Sequence, residues 1–138
     1  MSLLTITPNG LTPDIDDRID EGFAAHAKAA GIERRRFRFD FVARQDARFA
    51  GIIEGKIFFG MLLINTLFIE EDFRNKGLGK KLLEQALDYG RGQGCRFATV
   101  TTFDFQAPEF YQKNGFIIQF IDENYGPGRK FFSMQRPL

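Results

Sequence analysis

Glycine and basic residues are interleaved in a short segment, residues 74–81, whose sequence is RNKGLGKK. The segment follows an apolar, strand-like run and opens a run with helical periodicity, so it predicts a strand-to-helix turn. Gly77 and Gly79 allow backbone amides to approach an anion without obstruction by a Cβ atom. The first amides of a helix have no intrahelical acceptor, and together with Arg74 and Lys80 they favour a bound phosphate. The chemistry predicted here is therefore phosphate binding.

Two common phosphate motifs do not fit this segment. A P-loop requires a glycine where Arg74 stands and a serine or threonine where Lys81 stands. A dinucleotide-binding fingerprint requires a third glycine where Leu82 stands. Local spacing alone is also compatible with an ordinary helix start that carries solvated lysines.

Apolar periodicity predicts a helix and then several strands before this turn. Residues 14–30 carry apolar side chains at helical spacing, and Thr12 and Pro13 suit the start of a helix. The strand-like runs are residues 36–44, 49–53 and 57–69, the last divided near residue 60, and residues 54–56 (Glu-Gly-Lys) read as a hairpin turn.

After the turn, helical and strand-like patterns alternate. The predicted elements are a half-buried helix from residue 77 to about residue 92, a strand at 97–103, a short helix at 108–113, and strands at 116–121 and 129–135. A strand, a helix and another strand form a βαβ unit, whereas the earlier hairpins favour antiparallel pairing. We therefore expect a mixed sheet in a single domain, residues 1–138.

The charge balance argues against a polyanion partner. The chain of 138 residues contains 19 Lys and Arg against 18 Asp and Glu, a formal charge of +1, so no global field favours nucleic acid or an anionic membrane. A basic run at residues 34–38 could bind a polyanion, but its alternation with phenylalanines favours a strand with a solvated face.

Targeting and cysteine patterns agree with a cytoplasmic protein. The first ten residues lack the basic region and long apolar stretch of a secretory signal, and no run is long enough to span a membrane. Cys95 is the only cysteine. It precedes an apolar run, which indicates a small core residue rather than a nucleophile.

The turn resembles a motif of the GNAT acetyltransferase superfamily. RNKGLG, preceded by LFIEEDF, is similar to the family signature Arg/Gln-x-x-Gly-x-Gly/Ala. Farther along, APEFYQKNGF, residues 107–116, resembles the family pattern Ala-x-x-x-Tyr-x-x-x-Gly-Phe. The two motifs stand in the family's order, separated by a helix and a strand, and the longer phrase TFDFQAPEFYQKNGF with the later GPGRKFF is similar to small members of unassigned substrate.

The resemblance implies a GNAT-like fold: a mixed, mostly antiparallel α/β sheet, flanking helices, and a parallel strand pair that splays to admit acetyl-CoA. The cofactor's diphosphate would bind the turn and its pantetheine arm would pair with the preceding strand. No metal is implied. The residues so assigned to acetyl-CoA are Leu67, Phe68, Ile69, Arg74, Asn75, Lys76, Gly77, Leu78, Gly79, Lys80 and Asp104, the last standing where many members have Asn.

The reaction implied is direct attack of an amine on the acetyl thioester. Tyr111 matches the family tyrosine that protonates the departing thiolate, although a core tyrosine would also suit its apolar surroundings. A backbone amide of the splayed strand, that of Ile69, would stabilise the oxyanion. Asn65, a polar residue that strand parity places on the same face as Leu67 and Ile69, and Phe103 are the residues assigned to the acceptor. No base is evident, since a family glutamate is replaced by Thr99.

Several alternatives follow from these assignments. The acceptor is an amine of a small molecule or peptide, and the family resemblance allows a homodimer. Because no base is evident, a non-catalytic acyl-CoA sensor is the alternative function. Glu70 and Asp104 are acidic candidates for the base, but solvated or capping roles suit both equally. His26, on the first predicted helix, is expected to be exposed.

Overall fold

A computed structural model describes residues 2–138. The chain separates into two compact units, the first ending at Arg34 and the second comprising Arg35–Leu138. The first unit contains helix α1, Pro13–Ala29, which begins after an extended Thr12. Gly31, at φ +74°, follows its C-terminal end, as expected for a residue that must adopt the left-handed conformation. The predicted first helix is confirmed to within one residue.

The second unit is built on a six-stranded sheet with the order β1-β2-β3-β4-β6-β5. Its strands are β1 (Arg36–Gln45), β2 (Arg48–Phe58), β3 (Met61–Ile69), β4 (Phe97–Phe103), β5 (Ile117–Asp122) and β6 (Phe131–Pro137). Among the strand pairs of residues 2–138, only β3–β4 is parallel, because helix α2 (Leu78–Gly92) connects those strands. The predicted mixed, mostly antiparallel sheet is therefore confirmed.

The hairpin turn predicted at residues 54–56 is wrong. Glu54, Gly55 and Lys56 lie inside β2, where they pair with both neighbouring strands. The two hairpin turns instead consist of Asp46–Ala47, at φ 50° and 72°, and Phe59–Gly60, at φ 52° and 77°. Two left-handed residues in succession are typical of the two-residue turns that suit strand twist. Only Gly60 was a sequence signal for them.

Residue 55, although it lies within a strand, is a glycine because the neighbouring strand leaves no room for a side chain. The β2–β3 register passes from Glu54↔Thr66 to Gly55↔Ile64, so Asn65 is an extra residue in β3, a β-bulge. A Cβ atom at residue 55 would overlap the carbonyl oxygen of Leu63. The glycine therefore marks a close approach of two backbones.

We expect Gly55→Ala to lower the free energy of unfolding by at least about 3 kcal/mol, because the added methyl group must displace the β3 backbone. Urea titration followed by circular dichroism measures this loss. Gly92→Ala is the matched control, since a Cβ atom there has no neighbour within 4 Å and Ala favours the helix by about 1 kcal/mol or less. Equal stability of the two variants would contradict the bulge geometry.

Helices α2 and α3 (Pro108–Lys113) pack on one face of the sheet. The core on this face includes Ile53, Leu62, Leu83, Leu87 and Met134, all fully buried. Cys95 is buried in the same cluster, as predicted. The helix face of the sheet is thus closed by apolar packing, and this packing holds the starts of both helices beside the ends of β3 and β4.

The described residues, 2–138, include no helix that is long and apolar enough to cross a membrane.

Candidate functional site

The parallel strands β3 and β4 separate along their length. They pair only from Met61↔Phe97 to Ile64↔Val100. Beyond that point β3 continues to Ile69 alongside β2, and β4 continues to Phe103 alongside β6. The last residues of β3 therefore present an unpaired backbone edge to the gap between the two strands.

Two residues of β3 direct their backbone groups into this gap. The amide of Glu70 donates to Ala50 of β2 (N···O 2.8 Å), so its N–H points away from the gap. Backbone direction alternates along a strand, and Ile69 and Leu67 therefore face the open edge. A hydrogen bond agrees with this orientation of Ile69: its carbonyl oxygen accepts from Arg74 Nε, at 2.9 Å.

The chain turns sharply between β3 and α2. A short 3-10 helix, Glu71–Phe73, precedes Arg74, and Asn75 and Gly77 both have positive φ, at 61° and 80°. Helix α2 begins at Leu78. Such a turn aims the first helical amides, which have no intrahelical acceptor, toward the end of the strand.

Arg74 is fixed over this turn by two contacts. Besides its bond to Ile69, its guanidinium carbon lies 5.9 Å from the centre of the Phe68 ring, within the range of a cation–π contact. The positive charge is therefore positioned beside the start of α2, where the helix dipole already favours an anion.

A cavity of about 730 Å³ connects the open edge of β3, the turn and helix α3. Its volume is typical of sites for small molecules and cofactors. The residues that line it are Leu67, Phe68, Ile69, Phe73, Arg74, Asn75, Gly77, Leu78, Gly79, Lys80, Gln106, Ala107, Phe110 and Tyr111. Two segments that are far apart in sequence thus share one cavity.

Tyr111 is the one strongly perturbed titratable group in the lining. It is 6% exposed, and its ring packs edge-on against Phe110 and Phe116, with centroids 5.2 and 5.5 Å away. Burial disfavours the phenolate and raises the pKa of Tyr111 from 10.0 to about 12. The phenol therefore keeps its proton at neutral pH.

The raised pKa predicts that stability falls in strong alkali. Below pH 10 both folded and unfolded states keep the phenol proton; between the unfolded pKa near 10 and the folded pKa near 12, only the unfolded state loses it, so unfolding is favoured. Wild type should therefore lose about 2 kcal/mol more than Tyr111→Phe between about pH 9 and pH 11.5. Urea titrations at both pH values measure the difference. Parallel losses in the two proteins would contradict the burial of the phenol.

Four residues expected in the site do not line the cavity. Lys76 directs its ammonium to the carbonyl of Asp72, at 3.1 Å. Asp104 forms an ion pair with Arg129 at 3.0 Å and accepts the amide of Lys130 at 3.1 Å. This carboxylate therefore joins the loop before β6 to the end of β4, and a contact with acetyl-CoA no longer follows from its position.

The other two of these four residues are the ones assigned to the acceptor, Asn65 and Phe103. Asn65 is the exposed bulge residue of β3. Phe103 belongs to an aromatic cluster and lies 5.3 Å from Phe105, 5.1 Å from Tyr125 and 4.6 Å from Phe131 between ring centroids. The bulge also interrupts the alternation that placed Asn65 on the same face as Leu67 and Ile69.

Sequence reasoning missed four lining residues, Phe73, Gln106, Ala107 and Phe110. Gln106 is held in place because its side-chain oxygen accepts the amide of Phe103, at 2.9 Å. The amide of Ala107 donates to the Thr102 hydroxyl, at 3.3 Å. The signal for Ala107 and Phe110 was present, since both belong to the segment that resembles the second family motif.

Within the described residues, the parallel pair of the sheet splays beside a glycine-containing helix start, and a buried, protonated tyrosine lines the same cavity. The chain belongs to the Acetyltransferase (GNAT) family, whose sequence model matches residues 10–116. This confirms the resemblance of the two motifs.

Individual relatives agree with the family assignment. The chain is 35% identical over 80 residues to the blasticidin-S acetyltransferase of Streptomyces morookaense, a match that covers 57% of this chain and 59% of that protein. It therefore spans less than two thirds of the relative's length.

Solved structures share the fold. An acetyltransferase from Bacillus cereus has a TM-score of 0.80 at 24% identity, over 97% of this chain and 98% of that one. The PaiA N-acetyltransferase of Thermoplasma acidophilum, solved in complex with coenzyme A, has a TM-score of 0.65 at 19% identity, over 94% of this chain and 81% of that one.

Proposed function

We propose that this protein is an N-acetyltransferase that moves an acetyl group from acetyl-CoA to an amine. The observation that carries the proposal is that one cavity joins the anion-binding helix start, the open edge of β3 and the protonated phenol of Tyr111. These are the parts that binding a CoA thioester and protonating its leaving group require.

The start of α2 holds the diphosphate in this proposal. Gly77, Leu78, Gly79 and Lys80 line the cavity. Their amides open the helix without intrahelical acceptors, and the positive end of the helix dipole reinforces them. Arg74 adds a positive charge. Its contacts with Ile69 and Phe68 already order the side chain in the free protein, so cofactor binding loses little further side-chain entropy. Lys76, whose ammonium donates to the carbonyl of Asp72, does not line the cavity and is not assigned to the diphosphate.

The open edge of β3 binds the pantetheine arm and the thioester. Ile69 lies next to the turn, whereas Leu67 lies deeper, near the point where β3 and β4 separate. The arm must pair with backbone near the diphosphate before it reaches the thioester, so Ile69 binds the arm. We therefore assign stabilisation of the oxyanion to the amide of Leu67 rather than to that of Ile69.

Tyr111 supplies the proton for the leaving group. As the amine nitrogen forms its bond to the acetyl carbon, the bond from carbon to sulfur breaks, and the phenol donates its proton to the sulfur. The phenolate then takes a proton from the new amide nitrogen. Because burial disfavours a phenolate, the equilibrium favours this return of the proton, and the tyrosine is restored to its starting state.

Release of free thiol from acetyl-CoA tests this function. The purified protein is mixed with acetyl-CoA and a panel of polyamines, arylalkylamines, amino-sugar antibiotics, peptides and blasticidin S, the last because one relative is named for it. We expect thiol release that depends on an amine, with an acetylated product in the mass spectrum. Tight CoA binding without turnover on any amine would instead support the acyl-CoA sensor.

A further inference from the structure

We propose that Glu54 accepts the proton that the acceptor amine must lose and passes it to solvent, with Thr66 as the residue that positions it. This inference rests on the acetyltransferase function proposed above. It supplies the base that was not evident in the sequence, where Glu54 reads as part of a hairpin turn.

Glu54 lies on the face of the sheet opposite α2 and α3. Burial alternates along β2: Ile53 and Ile57 are buried in the core beneath α2, and Glu54 and Lys56 are half-buried. Successive side chains of a strand point to opposite faces. The carboxylate of Glu54 therefore projects from the face that α2 and α3 leave open.

Thr66 holds this carboxylate beside the splayed strand. Its hydroxyl donates to Glu54 Oε1 at 2.7 Å, and the two residues are directly paired across β2 and β3. Thr66 immediately precedes Leu67, whose backbone faces the gap. A carboxylate from β2 is thereby fixed one residue from the amide that we assign to the oxyanion.

The position of the cavity implies that the acceptor approaches from the sheet face that carries Glu54. Apart from the end of β3, the cavity lining comes from the turn, the start of α2, the segment before α3 and α3 itself, and both helices pack on one face of the sheet. In this proposal the CoA arm therefore lies on the helix side of the gap. An attacking amine must reach the thioester carbon from the other side, where Glu54 and Thr66 lie. The charged neighbours of Glu54 on that face are Asp40, directly opposite on β1, and the next pair along, Arg38 and Lys56.

The proton balance requires such a residue. An alkylammonium carries three N–H protons, the amide product keeps one, and Tyr111 transfers one to sulfur. The third proton must leave before the nitrogen can attack, because a reference pKa near 10.4 keeps the amine charged at neutral pH. The Glu54 carboxylate takes this proton and, being only half-buried, releases it to water.

Acceptors of different basicity test the proposal. The substitution Glu54→Gln keeps the shape of the side chain but removes the base, and kcat/KM is measured with a primary alkylamine and with an aromatic amine that is uncharged at neutral pH. We expect a loss of about 10²- to 10³-fold with the alkylamine and a loss at least tenfold smaller with the aromatic amine. Thr66→Val should give a weaker loss with the same selectivity.

Controls separate this proposal from a structural effect and from the function on which it rests. Glu84→Gln, at an exposed position of α2, should match wild type with both amines, and thermal unfolding and CoA affinity are measured for every variant. Equal losses with the two amines, no loss, or wild-type activity confined to aromatic amines would overturn the role of Glu54. A wild type that acetylates no amine would overturn the acetyltransferase function itself.

Discussion

Tyr111→Phe is expected to lower kcat for acetyl transfer by about 10²- to 10⁴-fold, the usual contribution of a positioned general acid. The substitution removes only the hydroxyl, while the ring keeps its edge-on contacts with Phe110 and Phe116. The affinity for CoA should therefore change little. Thiol release at saturating acetyl-CoA and amine measures kcat, and calorimetric titration measures the affinity.

Tyr89→Phe is the matched control for this experiment. Tyr89 lies on α2 and packs against Phe39 and Phe41, with ring centroids 6.0 and 5.7 Å away, and it does not line the cavity. Its kcat should remain close to that of wild type. Unchanged turnover in Tyr111→Phe would remove Tyr111 from the mechanism and leave it as a core residue.

Gly79→Leu is expected to abolish measurable CoA binding, with a loss of affinity of about 100-fold or more. A Cβ atom at residue 79 would lie 3.6 Å from the Phe110 ring and 3.8 Å from the Ile69 side chain, at ordinary contact distance. The rest of a leucine side chain must then extend into the space between these two residues, both of which line the cavity. Calorimetric titration with CoA measures the effect.

Gly92→Leu controls for the placement of a leucine on α2. Residue 92 is the last of that helix, and a Cβ atom there has no neighbour within 4 Å, so CoA affinity should be retained. Melting temperatures show that both variants are folded. If Gly79→Leu bound CoA as wild type does, the start of α2 would not be the diphosphate site, and the mechanism built on it would fail.

Local pattern was sufficient to predict most elements of the fold. Helical spacing located α1 and α2 within one residue at their starts. The strand predicted at 97–103 and the short helix predicted at 108–113 match the observed bounds of β4 and α3. These elements were predictable because a half-buried helix or strand must show its own period in the sequence. The β1–β2 turn was not, because Asp46 and Ala47 lack the glycine that usually marks two left-handed residues.

The candidate site was predictable where it depends on consecutive residues. Gly77, Gly79 and Tyr111 all line the cavity, and their motifs are short and contiguous. The side chains of Asp104 and Lys76 contact partners outside the cavity lining, because a charged side chain can pair with any suitable group within its reach. Asp104 binds Arg129, which lies in the distant loop before β6, and no local spacing predicts that contact.

The sequence by itself determined most of the elements, the glycine-containing helix start and the family, because each depends on residues that are near neighbours in the chain. Only the tertiary structure decided that β3 and β4 separate after Ile64 and Val100, and that a bulge at Asn65 sets the β2–β3 register. That register brings Glu54 to Thr66 at the edge of the gap. Cross-strand neighbours depend on register and bulges. These are properties of the whole sheet, and the sequence of one strand alone does not determine them.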